Sequence, residues 1–168
     1  SSMNADFPAA INEYFLFTLV GFCLTKTESV LFYSGDGVYS VNGKIYYLGP
    51  YPENMPPYLA YAAIPEYSLK YPYPEFLSFQ IGKIIKTEEL ESVLIGTDGV
   101  IELEKSLRGI AEFWEEDDYF KNSDMVRRKL AGLNREIIRP DWQKGLIVKE
   151  SGLLADDTTL IVARKRKR

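Results

Sequence analysis

The chain has 168 residues, enough for one domain with a substantial core, and a composition of 46% hydrophobic and 14% aromatic residues is that of a globular protein. It contains no histidine and one cysteine, which excludes Ser-His-Asp and Cys-His catalysis, the usual zinc sites and any intramolecular disulfide. The formal charge of −4 conceals an asymmetry: the last five residues, Arg164 to Arg168, are all basic and the remaining body is acidic, which argues against a broad nucleic-acid-binding face.

The longest apolar run, Tyr14 to Leu24, is too short to cross a bilayer and is broken by Thr18 and Gly21. There is no signal-peptide pattern, and Ser1-Ser2-Met3 resembles the scar of a cleaved tag before a start methionine, so a single domain over residues 4–168 is expected. The lone cysteine suits a reducing cytoplasmic compartment. Cys23 lies in the apolar run and is expected to be buried and inert.

In chain order, Tyr14 to Leu24 reads as a buried strand, rich in β-branched and aromatic residues. Ser29 to Ser34 reads as its antiparallel partner, ending at the turn Gly35-Asp36-Gly37. Val38 to Val41 follows, then Asn42-Gly43, the strongest short hairpin signal, since both central positions of a type I′ turn require positive φ. Lys44 to Leu48 is the return strand. The expectation is an antiparallel meander.

From Gly49 to Glu75 seven of the nine prolines alternate with tyrosines, so this stretch is expected to be extended and irregular, with a strand conceivable only from Tyr58 to Ile64. It either packs its rings over a sheet edge or presents them to a peptide partner. Phe76 to Gly82 resumes the strand pattern, and Glu88 to Glu91 forms an acidic link to the next strand.

That strand, Val93-Leu94-Ile95, delivers Asp98-Gly99 to its end, with Gly99 allowing a sharp turn after the acid. An aspartate there is either an ordinary turn residue or a ligand for a hard cation that offsets its charge. A second acidic site, Asp156-Asp157, precedes the run Leu160 to Ala163, so two carboxylates are expected at the ends of two strands. Between them, Glu115 to Asp118 reads as a solvated loop or helix end, or as an attractor of cations. Ser123-Asp124 is expected to cap a helix running to about Ile138, burying Val126, Leu130, Leu133 and Ile137, with Arg127, Arg128, Lys129 and Arg135 outward. The basic terminus reads as a solvated tail, or as a nucleic-acid or membrane contact.

In GDGVYS around Asp36, LIGTDGV around Asp98 and ADDTTLIVA around Asp156, the chain resembles the metal-dependent protein phosphatases of the PPM type, the protein phosphatase 2C family. The three motifs stand in the family's order and span roughly Phe15 to Ala163; each is weak alone, and the ordered set is moderately specific. The resemblance implies an α+β fold of two antiparallel β-sheets flanked by helices. It also implies hydrolysis of phosphoserine or phosphothreonine by water activated between two Mg²⁺ or Mn²⁺ ions. Matched residue by residue, Asp98 and Asp156 correspond to metal ligands, Asp157 to a contact of the metal's waters, and Gly35, Asp36, Gly37 and Gly99 to structural turns. The family's early acidic ligand and its metal-bridging Asp-Gly have no counterpart before Asp36, where no acid is followed by glycine, and the histidine that acts as general acid in many members is missing. No catalytic residue is therefore assigned. A phosphoprotein substrate or a regulatory protein is the expected partner, with no nucleic acid and no membrane. The alternative is a degenerate, non-catalytic binding module that recognises a protein through the Tyr/Pro-rich segment.

Overall fold

The computed structural model describes residues 7–65, 71, 74–122, 124–154 and 156–166, which form a mixed α+β structure with several antiparallel sheets and few helices. Helix α1 (Phe7–Tyr14) leads into β1 (Leu19–Leu24), β2 (Glu28–Ser34), β3 (Gly37–Val41) and β4 (Lys44–Leu48). After a tyrosine- and proline-rich excursion come β5 (Gln80–Lys86) and β6 (Ser92–Gly96), then a 3₁₀ segment, Asp98–Lys105. Three helices follow, α2 (Glu112–Glu115), α3 (Asp118–Lys121) and α4 (Met125–Leu133), then β7 (Ile137–Asp141), β8 (Leu146–Glu150) and β9 (Leu160–Arg164). Among the described residues no helix is long and apolar enough to cross a membrane.

The strands do not form one meander. β1, β2 and β5 make one sheet in that order, while β4, β3, β6 and β9 make another, and β7 pairs only with β8. The chain changes sheet at Gly35-Asp36-Gly37, where Gly35 and Gly37 have φ of 89° and 132°, so β2 and β3 never pair. The hairpin at Asn42-Gly43 forms as expected, with φ of 50° and 80°, the left-handed pair a type I′ turn needs.

Strand alternation divides the core. From β3 and β6, Tyr39, Val41, Val93 and Ile95 face the three-stranded sheet and meet Val20, Phe22, Leu31 and Ile85. On the opposite face, Val38, Leu94 and Val162 pack against Val100, Leu103, Ile110, Phe113 and Tyr119 from the 3₁₀ segment and helices. The outer face of the three-stranded sheet stays open, leaving Phe79, Ile81 and Ile84 exposed. Cys23 sits opposite Val30, on the face away from buried Leu31, and so is exposed rather than buried.

The strand from Tyr14 to Leu24 is shorter than expected. Tyr14 ends α1, and Tyr14, Phe15 and Phe17 are exposed, so only Leu19 onward pairs. Leu59–Ala63 is a 3₁₀ turn, not a strand. The expected helix to Ile138 stops at Leu133: Val126, Leu130 and Leu133 do pack on the core, whereas Ile137 opens β7 and is exposed. The cap expected from Ser123 lies outside the described residues. Glu116, Asp117 and Asp118 of the acidic run pair with Arg108, Arg164 and Lys121. Arg164 is no tail residue: it ends β9 and donates to the carbonyls of Trp114 and Glu115.

Candidate functional site

Neighbouring strands β6 and β9 run antiparallel, with Gly96 paired to Leu160. The end of one and the start of the other therefore fall at the same sheet edge, and so do Asp98, two residues beyond Gly96, and Asp156, four before Leu160. Thr97 ties the two approaches together. Its N–H donates to the Thr159 carbonyl at 3.0 Å, its hydroxyl donates to the Asp157 carbonyl at 3.1 Å, and the same oxygen accepts from the Thr159 N–H at 3.1 Å.

Gly99 is needed here for a different reason than a sharp turn. Its φ is not in the left-handed region. Instead it is buried against the loop 156–158, where an added Cβ would stand 2.7 Å from Thr158 Oγ1 and 2.8 Å from the Asp157 carbonyl oxygen. Asp36 arrives from the β2–β3 crossing, held by a hydrogen bond from the Thr18 hydroxyl. Its glycine neighbours supply the turn, as expected of that motif.

The three carboxylates interact. Asp98 is held above the usual aspartate range, first by partial loss of water around it, then by the negative charge of Asp36 and, more weakly, of Asp156; hydrogen bonding to the Gly99 N–H opposes this. One oxygen of each acid serves the local turn: Asp98 Oδ1 accepts from Gly99 N–H at 2.9 Å and Asp156 Oδ1 from Asp157 N–H at 2.7 Å. Asp157 is exposed and contributes its backbone to the Thr97 clamp.

Asp36 and Asp98 open on a cleft of about 460 Å³ walled by Tyr47, Tyr51, Pro56 and Ile101. Tyr51, whose hydroxyl donates to the Gly35 carbonyl at 3.3 Å, has its phenol pushed up to about 12 by burial, by Tyr33 and Tyr71, and by Asp36. Tyr58 is likewise pushed up to about 12 by burial and by Asp36, Tyr61 and Asp98. Both phenols therefore stay protonated at neutral pH. Among the described residues no lysine or arginine lines this cleft.

These are hard oxygen donors of the kind Mg²⁺ and Mn²⁺ take. The set is incomplete, because among the described residues no group of three or more His, Cys, Asp or Glu is placed to hold a metal ion. Thr18, Thr97, Tyr51 and Tyr58 were not singled out from sequence. The only signal for Thr97 is its place beside Asp98, and Thr18 and the tyrosines reach the site through long-range contacts. Comparison with protein families, curated proteins and solved structures gave no match to this chain.

Proposed function

We propose that the chain carries most of a metal-dependent protein serine/threonine phosphatase domain of the PPM type, acting on phosphoproteins in the cytoplasm. In this reading the two larger sheets and their helices are an incomplete version of that family's sandwich. One observation carries the proposal: the pairing of β6 with β9 and the Thr97 clamp set the Asp98 and Asp156 segments at one sheet edge, where Asp36, from a third segment, lines the same cleft as Asp98.

The charge of the cleft favours the same reading. A phosphate dianion entering among aspartates and neutral phenols, with no lysine or arginine among the described lining residues, is repelled unless cations accompany it. Asp98 and Asp156 would hold Mg²⁺ or Mn²⁺, which when bound offsets the phosphate charge and lowers the pKa of water. The chain's own residues then have defined tasks. Thr97 and Gly99 fix the separation of the two acids, Thr18 orients Asp36, and the protonated phenol of Tyr51 on the cleft wall donates to the Gly35 carbonyl beside Asp36.

The test is a Mn²⁺ titration followed by electron paramagnetic resonance. These acids alone are expected to hold one ion, with a Kd of about 1 mM. Asp98→Asn and Asp156→Asn should each abolish binding, and Asp157→Asn should leave most of it. Turnover of p-nitrophenyl phosphate in millimolar Mn²⁺ should be low for these residues. It should rise in a form that adds an acid and an Asp-Gly turn upstream, and fall again with either substitution. Mn²⁺ binding indifferent to Asp98 and Asp156 overturns the proposal.

That outcome would favour the second reading, a non-catalytic binding module, which rests on the lack of a three-ligand group among the described residues and on the aromatic walls of the cleft. Part of the Tyr/Pro-rich segment, residues 66–70 and 72–73, lies outside the described residues.

A further inference from the structure

The cleft that Asp36 and Asp98 open on extends toward β4, at the opposite edge of the four-stranded sheet from β9. There it is walled by Leu48, Pro50, Pro56 and Ile101, together with Tyr47 and Tyr51. These residues come from the end of β4, the proline-rich stretch after it and the 3₁₀ segment that starts at Asp98.

The three walls are fastened to the fold. Tyr51 donates to the Gly35 carbonyl at 3.3 Å, and the buried Ser34 hydroxyl donates to the Pro57 carbonyl at 3.1 Å, which ties the proline-rich stretch to the end of β2. The Tyr47 hydroxyl donates to Glu104 Oε1 at 3.0 Å and so joins β4 to the 3₁₀ segment. The cleft is therefore formed before any ligand arrives.

Its charge selects the occupant. Three carboxylates bear on this space, Asp36 and Asp98 in the lining and Glu104 through its bond from Tyr47. Among the described residues none of them forms an ion pair, and Lys105, beside Glu104 in sequence, is paired with Glu102. An acidic side chain is repelled here. A neutral apolar one would strip water from the carboxylates and return no bond for it. A cation on an apolar stem suits both parts of the cleft. The stem lies on Leu48, Ile101 and the prolines, and the head meets carboxylates and tyrosine rings.

We propose, resting on the phosphatase reading, that this arm of the cleft takes an arginine or lysine side chain of the phosphoprotein substrate. The preferred substrates are then phosphoserine or phosphothreonine segments with a basic residue close by in sequence. In that reading Asp98 is shared with the metal, whereas Asp36 and Glu104 are not ligands and keep their charge for the substrate.

The experiment titrates the wild-type chain with labelled phosphoserine peptides in Mg²⁺, read by fluorescence anisotropy. An arginine is moved along an alanine background on either side of the phosphoserine, and a matched set carries citrulline, which is neutral and nearly the same shape. At one spacing the arginine peptide is expected to bind at least about fivefold more tightly than its citrulline counterpart, the preference shrinking in high salt. Tyr47→Ala and Glu104→Gln should each remove most of that preference. Both side chains are exposed and neither would hold the ion, so both variants should keep the wild-type unfolding midpoint and Mn²⁺ affinity. Equal binding of arginine and citrulline peptides at every spacing, by a chain whose Mn²⁺ affinity still depends on Asp98 and Asp156, overturns the substrate assignment alone. A preference that survives in both variants overturns it too, since the charge is then read elsewhere. Mn²⁺ binding indifferent to Asp98 and Asp156 overturns the phosphatase reading and the substrate assignment with it.

Discussion

A Cβ placed on Gly99 would stand 2.7 Å from the Thr158 hydroxyl oxygen, closer than side chains and their neighbours tolerate. The missing Cβ lets the loop carrying Asp156 come this near to the turn carrying Asp98, and the Thr97 hydrogen bonds hold it there. Gly99→Ala is therefore expected to push the loop outward and cost about 1–3 kcal/mol in denaturant unfolding. It should also remove the influence of Asp156 on Asp98, read as a lower Asp98 pKa by carboxyl NMR titration. An unchanged midpoint and an unchanged titration would show that the loop yields freely.

Asp98 gives a pH dependence of definite sign. Its carboxyl is raised in the folded chain, so between the ordinary aspartate pKa and the folded value the native state binds more protons than the unfolded state. Stability then falls as pH rises through that window. Asp98→Asn removes the penalty and is expected to raise the Tm at pH 7 by about 1–2 °C, the shift staying small because the residue is exposed and screened. The gain should vanish at acid pH, where Asp98 is protonated anyway. A destabilised variant at neutral pH would mean that the carboxylate is structural.

How much of this was legible in the sequence depends on the range of the interaction. The Asn42-Gly43 hairpin and the strand leading to Asp98 were readable because turn chemistry and a short apolar run are local signals. The register that sets Asp98 and Asp156 at one edge was inferable from two strand ends, and the pairing of β6 with β9 agrees with it. The pairing of β2 with β1 was readable from two adjacent apolar runs, but its second partner, β5, was not, since that strand lies across the whole Tyr/Pro-rich excursion. Ile137 misled for another reason. It falls at helical spacing after Leu133, but the helix is capped at Asn134 and the period of two takes over for the β7–β8 hairpin.

Beneath the second core, the carboxylate of Glu112 is buried and accepts from the Tyr119 hydroxyl at 2.5 Å and from Lys129 Nζ at 2.8 Å. Burial alone would raise its pKa, but the bonds from Lys129 and Tyr119 outweigh it and hold Glu112 below the usual glutamate range. Its contribution is present above the unfolded glutamate pKa and is lost as pH falls through the folded value. Lys129→Met should cost about 1–3 kcal/mol at pH 7. It should also start acid unfolding at a higher pH than in the wild type. Equal acid midpoints would show that Tyr119 alone holds the charge.

The last prediction concerns Arg164, whose guanidinium is 15% exposed although it stands at the head of a basic run. One of its nitrogens donates to the carbonyls of Trp114 and Glu115, both at 3.1 Å, the other to Asp117 at 2.5 Å, and the plane sits 4.2 Å from the centre of the Phe120 ring. These contacts fasten the ends of α2 and α3 to β9, the strand whose other end sets Asp156. A lysine has the charge but not the planar fork that reaches two carbonyls and a carboxylate together while lying on a ring. Arg164→Lys is thus expected to recover less than half of the roughly 2–3 kcal/mol lost in Arg164→Ala. Arg166→Ala, one turn of the strand farther out and exposed, should change the unfolding midpoint by less than about 0.5 kcal/mol. If Arg164→Lys restores full stability, charge alone holds the helices and the fork geometry is incidental.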